Sequence, residues 1–160
     1  MLRIAVQSKG RLFEETMALL QEADIKISTS KRILLVQSSN FPIEVLFLRD
    51  DDIPQSVAGG VADLGIVGEN EFVERKEDAE VIKRLGFSKC RLSLAIPKDV
   101  DYPGLSWFEG RKIATSYPGI LKGFLLHSYK RHFPALFADA LQVAVDCPQA
   151  QIDGLGLVVL

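Results

Sequence analysis

The chain has 160 residues, 48% hydrophobic and 25% charged, with 19 Lys and Arg against 21 Asp and Glu for a net charge of −2. This is about one domain of ordinary globular sequence, without the global basic field that draws in nucleic acid or an anionic membrane. No apolar run is long enough to span a bilayer, the one within Met1 to Gln7 is too short for a signal h-region and has Lys9 after it rather than before it, and Cys90 and Cys147 fit no metal or redox spacing, so the expected setting is a reducing cytoplasm with no membrane partner.

Leu2 to Val6 is a short apolar run that suits a buried strand, broken by Gln7-Ser8-Lys9-Gly10-Arg11. Leu12, Thr16, Leu19, Leu20 and Ala23 then recur at helical spacing with Glu14, Glu15 and Glu22 between them, which predicts an amphipathic helix. Ile33–Val36 and Ile43–Leu48 read as strands separated by the turn-like Ser38–Pro42. Asp50 to Asp52 precede Ile53-Pro54, and a short helix should run to about Ala58 and stop at Gly59-Gly60. Asp63–Gly68 reads as a strand with glycines at its tip, and Glu69 to Glu74 opens another helix. Val81–Leu85, Leu92–Ile96 and Lys112–Thr115 are further strand candidates, and Pro118–Leu126 is a helix entered through Ser116-Tyr117.

Strands alternating with helices predict an α/β fold with a mainly parallel sheet flanked by helices. The Pro- and Gly-bearing stretch Pro97 to Glu109 is either a lobe boundary or a long loop. The division adopted is residues 1–96 as a first lobe and 97–160 as an incomplete second lobe.

Two features have the makings of a ligand site. Lys9-Gly10-Arg11 lies between a strand and a helix, where open α/β sheets bind ligands and helix N-termini favour anions. Its plain alternative is a solvated basic turn. Arg49 ends another strand and either faces a cleft or pairs with Asp50 to Asp52. Those three carboxylates read as helix capping and local ion pairs rather than a metal site. Thr115 and Ser116 either cap the helix that follows or bind a ligand, with capping preferred. His127 and His132 read as surface residues, and Cys90 as a small buried apolar one.

Five segments in order resemble ATP phosphoribosyltransferase, the family that opens histidine biosynthesis. They are Leu2–Leu12, Leu48–Pro54, Gly60–Asn70, Cys90–Ala95 and Lys112–Pro118, and the resemblance covers roughly residues 1 to 125. It implies a two-lobed fold like that of periplasmic binding proteins, with the active site in the cleft. The implied reaction joins the N1 of the ATP adenine to the ribose of phosphoribosyl pyrophosphate (PRPP), with Mg²⁺ carried on PRPP and pyrophosphate released. By the same resemblance Arg11 contacts substrate phosphates and Arg32 helps the pyrophosphate leave. Lys9, Gly10, Arg49, Asp63, Gly65, Gly68, Thr115 and Ser116 are the implied substrate contacts, and the expected state is a homo-oligomer. The aspartate-rich Arg49 segment is more similar to the long form of the family. A catalytically incomplete nucleotide-binding lobe and an unrelated solute-binding domain are the competing readings.

The resemblance stops at about Phe124. Neither the Gly-Ser-Val-Glu-like segment nor the Thr-Gly-x-Thr-Leu-like phosphate loop of the family follows, and residues 125–160 do not match. From His132 to Leu160 there is no Lys, Arg or Glu. Such a shift suggests a reading-frame change, a truncation or a graft, with a divergent tail that packs on the sheet as the alternative.

Overall fold

A computed structural model describes residues 1–28, 33–132 and 157–159. They fall into two units, the first holding Met1–Cys90 together with the strand near the carboxyl terminus, the second beginning at Arg91.

The first unit is built around three parallel strands. β1 (Leu2–Gln7) lies between β3 (Ile43–Leu48) and β4 (Leu64–Gly68), with Val6 opposite Phe47 on one side and Ile66 on the other. A strand with parallel neighbours on both sides and helices on both faces is apolar at consecutive positions rather than alternate ones. This explains why Ile4, Ala5 and Val6 are all buried. Ile4 and Val6 pack with Val45, Phe47 and Ile66 against Leu12, Phe13, Met17 and Leu20 of α1 (Arg11–Glu22). Phe13 meets Phe47 edge-on at 5.9 Å. Ala5 and Val67 face the other way, onto Ile53 and Val57 of α2 (Ile53–Ala58) and Phe72 of α3 (Glu69–Arg75).

The full order is β2-β3-β1-β4-β6-β5. β2 (Leu35–Gln37) is antiparallel to β3, as the short Ser38–Pro42 turn between them requires. β6 (Leu157–Val159) is antiparallel to both β4 and β5 (Lys83–Arg84). Four strands therefore share one direction, and the sheet is mainly parallel, as expected. Joining β6 to this sheet departs from the expected assignment of residues 97–160 to a second lobe. The bulk of the unmatched tail, residues 133–156, lies outside the described residues.

The predicted helix ending at Gly59-Gly60 is found, with Gly60 taking the left-handed φ of +70°. The expectation fails for strands that need distant partners. Val81–Leu85 shrinks to the two residues of β5, and neither Leu92–Ile96 nor Lys112–Thr115 forms a strand. β-propensity makes these stretches extended, but a strand also needs a neighbour to hydrogen-bond with. Among the described residues no ladder forms on either.

In the second unit α4 (Pro118–His132) begins at a proline, whose fixed φ and missing N–H suit the first helical turn. Among the residues of α4 whose burial is described, Leu121 and Leu125, about one turn apart, are buried. No helix among the described residues is long and apolar enough to cross a membrane.

Candidate functional site

The loop leaving β1 leads to α1 on one face of the sheet, and the loop leaving the adjacent β3 leads to α2 on the other. Two neighbouring loops that part to opposite faces open a crevice at the carboxyl edge, where open α/β sheets take their ligands. The Ser8 N–H donates to the Leu48 carbonyl at 2.8 Å and ties the two loop bases together.

Lys9, Gly10 and Arg11 occupy this crevice edge, and all three are exposed. Gly10 is the residue before the first turn of α1, at φ 88° and ψ −173°, a combination open essentially only to glycine. The Glu14 N–H donates to its carbonyl at 3.1 Å, and no side chain caps the helix. Arg11 therefore stands in the first turn of a 12-residue helix beside backbone N–H groups that have no helical partner. Its guanidinium donates to the Lys89 carbonyl at 3.2 Å.

Arg49 directly follows β3 and pairs with Asp51 at 3.2 Å, and Arg75 of α3 reaches the same carboxylate at 3.2 Å. Local pairing is thus found, whereas the expected side-chain cap is not. Asp50–Asp52 form a 3₁₀ turn that runs directly into α2, so Asp52 has helical backbone and makes no side-chain cap bond. Among the described residues no three His, Cys, Asp or Glu groups gather in a metal-ligating arrangement.

The glycine-tipped strand divides into two ends. Gly68 is buried at the carboxyl end of β4, on the same edge as Arg11. Asp63 precedes the amino end, where its carboxylate accepts the Arg3 N–H at 2.7 Å and its own N–H donates to the Arg3 carbonyl. Gly65 is buried within the strand opposite Ala5. Asp63 and Gly65 thus lie away from the carboxyl end of β4, where Gly68 stands.

In the second unit Thr115 is buried and its Oγ1 accepts the Tyr117 N–H at 3.0 Å, which shapes the entry to α4. Ser116 is exposed beside it, and His127 is exposed on α4. Arg32 and Cys147 lie outside the described residues.

Several environments near this edge escaped the sequence reading. Asp50 is the most unusual. Its Oδ1 is fully buried with no hydrogen-bond partner, and its pKa is pushed up to about 6. Burial is the main cause, the buried Glu71 adds to it, the Gly68 backbone N–H works against it, and Asp51 adds a little more. Cys90 is exposed, not buried as expected. The chain around it still desolvates the thiol enough to raise its pKa, with Arg11 opposing and Asp50 reinforcing the shift. Cys90 therefore lies within electrostatic reach of both crevice residues. Arg84 holds Glu69 at 2.6 Å, and the Ser88 hydroxyl donates to the Glu15 carboxylate. Apart from Asp51 beside Asp50, these interactions join residues at least 15 positions apart, so no local pattern announces them.

A profile of the family described as ATP phosphoribosyltransferase matches residues 49–139, more than half of the chain. The chain is 98% identical over 125 residues to an ATP phosphoribosyltransferase of Phocaeicola vulgatus, covering 78% of this chain and 44% of that relative. It is 86% identical over 125 residues to one of Bacteroides fragilis and 50% identical over 127 residues to one of Cytophaga hutchinsonii, again covering 44% of each. The chain thus spans less than half the length of these relatives. It also resembles a solved chain described as the ATP phosphoribosyl transferase (HisG:HisZ) complex from Thermotoga maritima, with a TM-score of 0.65 over all of this chain and 74% of that one. At 20% identity that likeness speaks for the fold.

Proposed function

The chain belongs to the ATP phosphoribosyltransferase family, and on that premise we propose that it acts in the transfer of phosphoribosyl from PRPP to N1 of the ATP adenine. In this reaction the adenine N1 lone pair forms a bond to the ribose C1, while the C1–oxygen bond breaks and its electron pair leaves with pyrophosphate. Positive charge develops on the sugar and negative charge on the leaving group, so the protein's contribution is mainly placement and electrostatics.

The observation that carries this reading is the position of Arg11. It stands in the first turn of α1, beside the glycine-only conformation of Gly10, at the crevice between the β1 and β3 loops. A guanidinium binds phosphate oxygens in pairs and stays charged throughout, and free N–H groups in a first helical turn favour the same anion. Lys9 adds charge there, and Arg49, held by Asp51, is positioned to add more. We assign the substrate phosphates to this group, with the buried Gly68 at the tip of β4 as close backbone. Arg32 is assigned to pyrophosphate departure, and Thr115 and Ser116 to the second unit's share of the substrates. Mg²⁺ enters as part of the PRPP complex, and the active form is a homo-oligomer.

A second reading is a nucleotide-binding lobe that holds ATP without transferring the sugar. One experiment separates the two. The purified chain is given ATP, PRPP and Mg²⁺, and N1-phosphoribosyl-ATP is measured alongside ATP binding by calorimetry. Product that disappears in Arg11→Ala supports the transferase. Binding without product supports the incomplete lobe. Folded protein that neither binds nor reacts sinks both.

A further inference from the structure

Residues 85–90, which close the Met1–Cys90 stretch of the first unit, are tied to α1 by side chains. Leu85 and Phe87 pack against the core cluster that contains Leu20 of α1, and Gly86 between them turns the chain at φ +81°. Ser88 is buried and holds φ +48°, a left-handed conformation that few residues other than glycine adopt. Its hydroxyl donates to the Glu15 carboxylate. One residue further on, the Lys89 carbonyl accepts from the Arg11 guanidinium at 3.2 Å.

These two contacts form one clamp. Arg11 and Glu15 are four positions apart in α1 and so lie on one face of the helix, and they grip the adjacent residues Ser88 and Lys89. A strained backbone persists only where its surroundings over-determine it. Here the surroundings are a buried hydroxyl bonded to a carboxylate of α1, between a core-packed Phe87 and an arginine-held carbonyl. The bend at Ser88 sets where the next carbonyl lies, and it lies at Arg11. An arginine side chain has several rotatable bonds and loses their freedom when it grips a ligand. One N–H held by a fixed carbonyl removes part of that freedom beforehand, while the rest of the fork stays open.

We propose that Glu15 and Ser88 are positioning residues: their hydrogen bond fixes the Lys89 carbonyl, and through it the Arg11 guanidinium, in place for an incoming phosphate. This rests on the assignment of Arg11 to the substrate phosphates and deepens it. Neither Glu15 nor Ser88 is assigned a contact with the ligand, and both act through Arg11.

The test is the ATP affinity of the full 160-residue chain, measured by titration calorimetry. Ser88→Ala should weaken binding by about two- to tenfold, the usual cost of ordering a long side chain on binding. Ser88→Gly should show a similar loss, because it lacks the hydroxyl even though glycine relieves the backbone strain. If circular dichroism shows that Ser88→Ala fails to fold, Ser88→Gly takes its place throughout. Glu15→Ala should match these losses, and Glu15→Gln should recover most of the affinity, since an amide oxygen still accepts the Ser88 hydroxyl. Charge alone predicts otherwise: both Glu15 variants remove a carboxylate near the phosphates, so both would bind ATP more tightly, and that result overturns the proposal. In an Arg11→Ala background Ser88→Ala should change nothing further, because the positioned group is gone, and additive losses there overturn the proposal. So does parent-like affinity in the folded Ser88 variants while Arg11→Ala still loses binding, and the phosphate assignment then stands. ATP binding that is absent in the folded parent, or intact in Arg11→Ala, overturns the phosphate assignment and the positioning with it.

Discussion

Arg11 donates from its guanidinium to the carbonyl of Lys89 at 3.2 Å, which joins the first turn of α1 to a segment 78 positions further along the chain. The bond is exposed and leaves the remaining N–H groups of the fork available to a ligand. Arg11→Ala should therefore cost little stability. It should weaken ATP or PRPP binding by about 1.5–3 kcal/mol, roughly ten- to hundredfold. Titration calorimetry beside a urea melt reads both quantities. Unchanged affinity would remove Arg11 from the phosphate contacts.

Gly10 makes a sharper case, because a methyl group there would meet no atom within 4 Å while its backbone sits at φ 88°. Gly10→Ala should therefore destabilise through backbone strain alone, by about 1–3 kcal/mol, or shift the loop and misplace Arg11. Chemical denaturation gives the first effect, and ligand affinity gives the second. A variant as stable as the parent with unaltered affinity would show that the loop reshapes freely.

Asp50 should make stability depend on pH in a defined direction. Its native pKa of about 6 lies above the ordinary carboxyl value of 3.8, so the folded chain holds this proton more tightly than the unfolded chain does. The penalty is absent below about pH 4, grows as pH rises toward about 6, and is complete above that. Asp50→Asn removes the charge and keeps the shape. It should raise stability near pH 7.5 by roughly 1–3 kcal/mol, with the gain shrinking toward pH 4. Urea melts across that range test this, and a gain independent of pH would refute the assignment.

Ile53 is fully buried in the first turn of α2 against Ala5, Ala62 and Val67. Ile53→Ala should cost about 2–5 kcal/mol from lost burial and the residual cavity. It should also loosen the Arg49–Asp52 turn directly before it, seen as faster amide exchange there. A loss below about 1 kcal/mol would mean that this face collapses to fill the gap.

Local pattern alone determined the elements that carry their own signal. The Leu2–Val6 run, the 3.6-residue spacing of Leu12, Thr16 and Leu20, and the Ile53-Pro54 to Gly59-Gly60 frame each depend on residues close in sequence. Gly10 and Arg11 were legible for the same reason, since a strand, a glycine turn and a helix start are consecutive. Only the tertiary structure decided which end of β4 meets the crevice, which moves Asp63 away to Arg3 and leaves Gly68 beside it. It also buried Asp50 beside Glu71, brought Cys90 near Arg11, inserted β6 between β4 and β5, and left Leu92–Ile96 without a ladder. Each of these depends on a partner distant in sequence, and strand pairing and desolvation are set by which distant segment arrives, a choice that no local periodicity encodes.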